Sequence, residues 1–371
     1  MIPLFIPDIQ EQDILAATAV MRSGMLVQGP NVAELEAAFC KLTGARHAVA
    51  VSNGTATLHL ILHALGIGPG DEVIIPAFSY VATANVVELV GAKPVFVDVQ
   101  PDTWNIDPAG IEAVIHSNTK AIIPVHEFGL SADLDPIRMI CNKHNLFCIE
   151  DAACAAGATY NRVPLGKDSY AASFSLHPRK AITSGEGGMI LTSDAELAAR
   201  LRIFRNHGIE MQNGKMEFVE AGFNYRMTDF QAALVLSQTH RLFDQIQQKS
   251  KLAEVYAQCL NQEYFQLPST PAFTSHTWQT FHIIPRQKVN RDMLFSEAKN
   301  ANIGLSYGAQ CIPDVQYYKQ KYKLPVQDLY PNAFNAFHQG IALPMYASLT
   351  VSQAEFVANT LNTIIQKIYA K

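Results

Sequence analysis

Short apolar runs alternate with helical stretches along the first two-thirds of the chain. Ala48-Val-Ala-Val51 reads as a buried strand, followed by Ser52-Asn-Gly-Thr-Ala-Thr57 and an apolar helix to about Leu65. Further strands are predicted at Glu72–Ile75, Pro94–Val97, Lys120–Val125, Leu146–Ile149, Ala171–Ser175 and Gly188–Thr192. Helices are predicted over Ser79–Leu89, Ile111–Ile115 and Asp133–His144. Near-continuous apolar strands with helices between them indicate a mostly parallel sheet covered on both faces. From Thr228 to about Tyr264 the period is helical, with Leu234, Leu236, Leu242 and Val255 as candidate buried positions. Pro268–Pro271 reads as a linker, Thr280–Ile284 as a strand and Val351–Tyr369 as a helix. The expected architecture is α/β: a large domain over residues 1–245 and a smaller C-terminal α+β domain over 246–371.

Length agrees with that division, since 371 residues exceed the roughly 150 typical of one domain. The net charge of −5 argues against a general nucleic-acid binder or a polybasic membrane-surface protein. No apolar run approaches the ~18 residues of a membrane span, and the start lacks the pattern of a cleaved signal. The six cysteines form no C-x-x-C pair and fit no zinc spacing, so free thiols in the cytoplasm and no metal are expected.

In parallel sheets ligands sit at the carboxyl ends of strands, so the polar residues just after each strand carry the chemical information. Ser173-Phe-Ser-Leu-His-Pro-Arg-Lys180 places a lysine beside two hydroxyls and the glycine-rich Gly185-Glu-Gly-Gly188. Imine chemistry needs a lysine near anion-binding groups. Asp151 ends an apolar strand in Ile149-Glu-Asp151-Ala-Ala-Cys154. It reads as a helix N-cap or as a carboxylate that keeps a ring nitrogen protonated. Ser52-Asn-Gly54-Thr55 joins a strand to a helix, where free N–H groups bind phosphate. Tyr80, in a loop after a strand, suits packing or stacking on a flat cofactor.

Taken together with Ser23-Gly-Met-Leu-Val-Gln-Gly29, Pro124-Val-His-Glu-Phe-Gly129, Gly222-Phe-Asn-Tyr-Arg-Met-Thr-Asp229 and Leu343-Pro-Met-Tyr346, these motifs resemble one family. It is the DegT/DnrJ-type nucleotide-sugar aminotransferases, which are fold type I pyridoxal-phosphate enzymes. The resemblance runs from about Ser23 to Thr350 and implies a role for each matching residue. Lys180 would hold the cofactor as an imine and shuttle the proton. Asp151 would pair with the pyridine nitrogen and Tyr80 would stack on the ring. Gly54, Thr55 and Ser175 would hold the phosphate, and Asn224 would reach the phosphate of a neighbouring subunit in a homodimer. The implied partners are L-glutamate as amino donor and a nucleotide-linked keto sugar, in the service of deoxyamino-sugar and glycan or lipopolysaccharide synthesis. His177-Pro-Arg-Lys180 is more similar to members that aminate C4 of a 4-keto-6-deoxy sugar than to those acting at C3.

The chain departs from the family pattern in two places. Cys154 stands where relatives carry Gln or His near the cofactor 3′-oxygen, and Ser306 stands where many carry a pocket histidine. His126, Arg226, Ser306 and Tyr307 are the candidate substrate residues. Two other functions share these motifs, an amino-acid lyase of the same fold and a non-catalytic cofactor-binding regulator. The Gly-Phe-Asn-Tyr-Arg-Met-Thr-Asp stretch argues against the lyase, and the early start of the catalytic pattern argues against the regulator.

Overall fold

The computed structural model describes residues 1–370. Every strand expected in the first two-thirds forms: β1 His47–Val51, β2 Glu72–Pro76, β3 Lys93–Val97, β4 Thr119–Ile122, β5 Phe147–Asp151, β6 Ala171–Ser175 and β7 Gly188–Thr192. They join one sheet in the order β1-β7-β6-β5-β4-β2-β3. β7 runs antiparallel to both its neighbours, and the remaining strands share one direction. Every residue of β2, β6 and β7 is buried, as expected for strands covered on both faces. The helix Gly54–Ala64 covers one face with Leu58, Leu60, Ile61 and Leu62. Burial of each such side chain contributes about 1.5–3 kcal/mol.

The C-terminal part forms a second core. Strands β8 Phe265–Gln266, β9 Phe281–Pro285 and β10 Ile341–Leu343 pair antiparallel. Against them pack Leu252 and Tyr256, together with Val357 and Leu361 from the helix Val351–Tyr369. Thr350 and Gln353 form a capping box that starts this last helix where its apolar period begins.

The differences from the sequence reading are local. The strand expected to reach Val125 ends at Ile122. Pro124 has no N–H to continue a ladder, although the Ile123 N–H still reaches the Ile74 carbonyl at 2.8 Å. The helix expected over Ser79–Leu89 starts at Ala82, and that over Ile111–Ile115 is a short turn, Pro108–Ile111, continued by a 3₁₀ segment. The long C-terminal helical stretch is Asp229–Leu236, a 3₁₀ segment Ser237–Arg241, and Leu242–Cys259. Ala232 and Val235 are buried where Leu234 and Leu236 were expected, and those two are only half-buried. Helices at Glu11–Ser23 and Pro30–Thr43, and an exposed hairpin of Ile209–Gln212 with Lys215–Phe218, were not anticipated.

The expected boundary at 245/246 lies inside the helix Leu242–Cys259. Leu242 packs in the large-domain core, whereas Leu252 and Tyr256 pack in the small one. Tyr318, Tyr330 and Ala333 return to the large core, while Ile2 and Phe5 pack against the small one. We propose two interleaved units rather than a single cut. No helix among the described residues is long and apolar enough to cross a membrane.

Candidate active site

A cavity of about 550 Å³ opens at the carboxyl ends of the parallel strands. The turn after β1 supplies Asn53, Gly54 and Thr55, and the loop after β2 supplies Ser79 and Tyr80. Asp151 and Cys154 enter from the end of β5, and Ser175 and Lys180 from the end of β6. Sequence-distant residues meet here because their parallel strands all end on the same side of the sheet.

The anion-binding corner is built by the backbone. The Asn53 side chain caps the helix Gly54–Ala64 by accepting from the Ala56 N–H at 2.8 Å. The amides of Gly54 and Thr55 begin the helix and have no carbonyl four residues earlier within it. A Cβ on Gly54 would lie 2.8 Å from Ser175 Cβ and 2.9 Å from its Oγ. Glycine is needed there for close approach of the two walls. The corner therefore offers amide and hydroxyl donors at the positive end of a helix dipole.

Asp151 lies on another wall of the cavity. Thr83 Oγ1 donates to Asp151 Oδ2 at 2.8 Å, and the Ala153 N–H donates to Oδ1 at 3.1 Å. Burial pushes the Asp151 carboxyl up, while the Thr83 bond, the Ala153 bond and the Lys180 charge pull it down. A buried carboxylate of this kind gains most from an N–H⁺ partner. Lys180 lies in the polar turn after β6, fixed by its own N–H to the His177 carbonyl at 2.9 Å. Its Nζ donates to Cys154 Sγ at 3.0 Å. Burial raises the Cys154 thiol, against the Lys180 charge, so the thiol is a neutral contact at physiological pH.

Tyr80 is 65% exposed at the rim, free to cover a flat ligand. Asn224 is exposed, bridged by backbone to Asn206 and outside its own chain's cavity lining. Of the four candidate substrate residues, none lines the cavity among the described residues. His126 is wholly buried, with Nε2 3.3 Å from Glu150 Oε2 and Nδ1 accepting from the Ala132 N–H at 3.0 Å. Both ring nitrogens are thus used in the interior, so this candidate substrate residue turns away from the cavity. Arg226 donates to Asn206 Oδ1. Ser306 is paired by backbone with Ala342, and the Tyr307 ring lies 4.2 Å from the Arg291 guanidinium. Their neighbours Gly308 and Ala309 reach the cavity instead.

Several lining residues carry no role in the sequence reading, among them Glu127, Thr83 and Gln279. Glu127 follows the fourth parallel strand, so the rule of reading polar residues after strands could have found it. Thr83 lies three residues after Tyr80, and no local pattern marks its hydroxyl as a partner of Asp151. Gln279, whose amide donates to the Arg179 carbonyl at 3.2 Å, comes from a distant segment and carries no local signal.

The model of the DegT/DnrJ/EryC1/StrS aminotransferase family matches residues 7–362. The chain belongs to this family. Among its relatives is the UDP-4-amino-4-deoxy-L-arabinose–oxoglutarate aminotransferase of Shewanella sediminis (strain HAW-EB3), 39% identical over 98% of each chain. A sugar aminotransferase of Streptococcus pneumoniae in its PMP form superposes with a TM-score of 0.95, at 27% identity over 100% of this chain and 98% of that one. Helicobacter pylori PseC, an aminotransferase of pseudoaminic acid biosynthesis, gives 0.93 at 27% identity over 99% of each chain. The chain is therefore an aminotransferase with the fold of the sugar aminotransferases.

Proposed function

We propose that this aminotransferase binds pyridoxal phosphate through Lys180 and moves an amino group from L-glutamate to the ketone of a nucleotide-linked 4-keto sugar. The observation that carries the reading is one cavity holding Lys180, the buried carboxyl of Asp151 and the Gly54–Ser175 anion corner. These residues fit the cofactor: donors for its phosphate, a carboxylate for its ring nitrogen and an amine for its aldehyde. When bound, the cofactor supplies an electron sink for cleavage of a Cα–H bond. The chain's own work is then positional and protonic. Gly54, Thr55 and Ser175 hold the phosphate, and Tyr80 covers the ring. Asp151, held by Thr83 and Ala153, keeps the ring nitrogen protonated. Lys180, once displaced by the donor, takes the proton from the donor Cα and returns one to the acceptor carbon.

His177 and Arg179 line the same cavity and supply donors for a nucleotide's phosphates. The donor and the C4 position follow the name of the Shewanella relative, and its pentose favours a 4-keto pentose beside the 4-keto-6-deoxy hexose. A homodimer with Asn224 turned to the partner's phosphate is part of this reading. Leu15, Met25 and Val27, exposed by 59%, 68% and 65%, offer apolar surface for a second copy. The protein would act in the cytoplasm, in deoxyamino-sugar synthesis for glycans.

The test starts from protein aminated with glutamate and freed of excess donor. UDP-linked 4-keto pentose, 4-keto-6-deoxy hexose and 3-keto hexose are then added singly. Return of the visible band with a 4-keto sugar supports the reading. Turnover of a plain amino acid with no response to any keto sugar overturns it. Gly54→Ala crowds Ser175 and is expected to weaken pyridoxal phosphate binding about tenfold, ~1.4 kcal/mol, in a spectrophotometric titration.

A further inference from the structure

The five residues before β9, 276–280, touch three loops of the large unit at once. The Leu130 and His276 backbones form a bridge. The Thr277 N–H donates to the Gly129 carbonyl at 3.0 Å, and the Gln279 N–H donates to the Phe128 carbonyl at 3.0 Å. Thr277 Oγ1 donates to the Cys154 carbonyl at 3.1 Å. The Gln279 side-chain amide donates to the Arg179 carbonyl at 3.2 Å. The segment thus spans the loops after β4, β5 and β6. Between these contacts the Trp278 ring stacks on Phe281 of the C-terminal core, with centroids 5.5 Å apart. The seat is shaped for the segment. Phe128 and Gly129 have φ of 55° and 96°, left-handed values uncommon for an aromatic residue. A Cβ on Gly129 would collide with Thr277 Oγ1.

Two of these bonds bear on Lys180. The Arg179 carbonyl and the Lys180 N–H belong to one peptide unit, which is planar and turns as a whole. Gln279 holds its carbonyl edge, and the His177 carbonyl holds its N–H edge at 2.9 Å. Among the described residues no other donor reaches the Arg179 carbonyl. The plane so fixed sets the direction in which the Lys180 side chain leaves the backbone. At the far end of that side chain Nζ meets Cys154 Sγ at 3.0 Å, and Cys154 is itself held by Thr277. The Gln279 amide has one orientation. A carbonyl only accepts, so Nε2 faces Arg179, while Oε1 accepts from Thr280 Oγ1 at 2.8 Å. Gln279 is buried, so bulk water does not replace a bond lost there.

We propose that Gln279 is a positioning residue: its side-chain amide fixes the Arg179–Lys180 peptide and so aims Lys180, tying the aim of the lysine to the seat of the C-terminal unit. The consequence for proton transfer rests on the function proposed above. A proton is handed over only across a short, well-directed gap, so an error of aim shows in that step before it shows in binding.

Two measurements test it. The first needs no cofactor. Hydrogen–deuterium exchange is followed by mass spectrometry on peptides that include residues 177–181, in wild type, Q279L and Q279E. Q279L removes the amide. Q279E, when ionised, keeps the length and the acceptor for Thr280 but has no hydrogen to give. The Lys180 amide should exchange about tenfold faster in both, with strands β1 to β7 unchanged. Wild-type exchange at Lys180 in either variant overturns the proposal. So does a rise spread over the whole sheet, which would mean a general loss of stability. The second measurement uses protein loaded with pyridoxal phosphate and glutamate carrying hydrogen or deuterium at Cα. In Q279L the single-turnover rate should fall about ten- to a hundredfold. The deuterium effect should be at least as large as in wild type, and the half-saturating glutamate concentration should change little. A slower rate with a smaller deuterium effect places the loss outside proton transfer and overturns the aiming role. If glutamate leaves the visible band of loaded wild type unchanged, the proposed function fails, and the exchange result decides the hold on Lys180 by itself.

Discussion

Lys180→Ala is expected to lower amine transfer by about 10⁴-fold or more, because one side chain serves as both covalent anchor and proton carrier. Its Nζ makes one side-chain contact, to Cys154 Sγ at 3.0 Å, and that thiol is neutral. Removing the amine leaves the neutral thiol and takes one favourable charge from the buried Asp151 carboxyl, which keeps its bonds from Thr83 and Ala153, so the fold should survive. The check is single-turnover conversion of glutamate to 2-oxoglutarate, alongside the visible spectrum of the loaded protein. Wild-type rates in Lys180→Ala would remove the lysine from the chemistry.

The second large effect is at Asp151. Asp151→Asn keeps the shape and can still accept from Thr83, but it cannot carry the charge that holds a ring nitrogen protonated. The loss of one such preorganised electrostatic partner is expected to lower turnover by about 10²–10³-fold. Burial raises the Asp151 carboxyl before any cofactor is present, so the neutral amide is tolerated by the folded chain. Melting temperature should accordingly stay within a few degrees of wild type, as about 1 kcal/mol moves a protein of this size by only ~1–2 °C. Stopped-flow measurement of the glutamate half-reaction separates this from a folding defect. Unchanged turnover would show that the carboxylate has no electronic role.

The main sheet was legible in the sequence because its strands are buried on both faces and read as unbroken apolar runs. Lys180, Asp151, Gly54 and Ser175 were legible for a related reason. Each lies within a few residues of a strand's carboxyl end, where a parallel sheet gathers its ligand contacts. His126 satisfied the same rule and yet points inward. Only the three-dimensional placement of Glu150 and the Ala132 N–H shows which way its ring turns. Leu234 and Leu236 failed for a different reason. The 3₁₀ segment after Leu236 interrupts the helical period, so the buried stripe cannot be extrapolated across it. The interleaving of the two units was invisible, since no local pattern reports that Tyr330 returns to the first core. Glu127 stood two residues beyond the expected strand end, within reach of the same rule, but its neighbour His126 was read in its place.

Strand β1 and the glycine turn after it belong to the start of the chain, yet β1 pairs along its whole length with β7. The two walls of the anion corner, Gly54 and Ser175, approach each other across that junction. That junction closes a loop of more than a hundred residues, which costs chain entropy. The phosphate corner therefore exists only where these distant segments have paired, and a ligand seated there stabilises only the finished sheet. Added pyridoxal phosphate should slow global unfolding while leaving the early collapse of the chain unaffected.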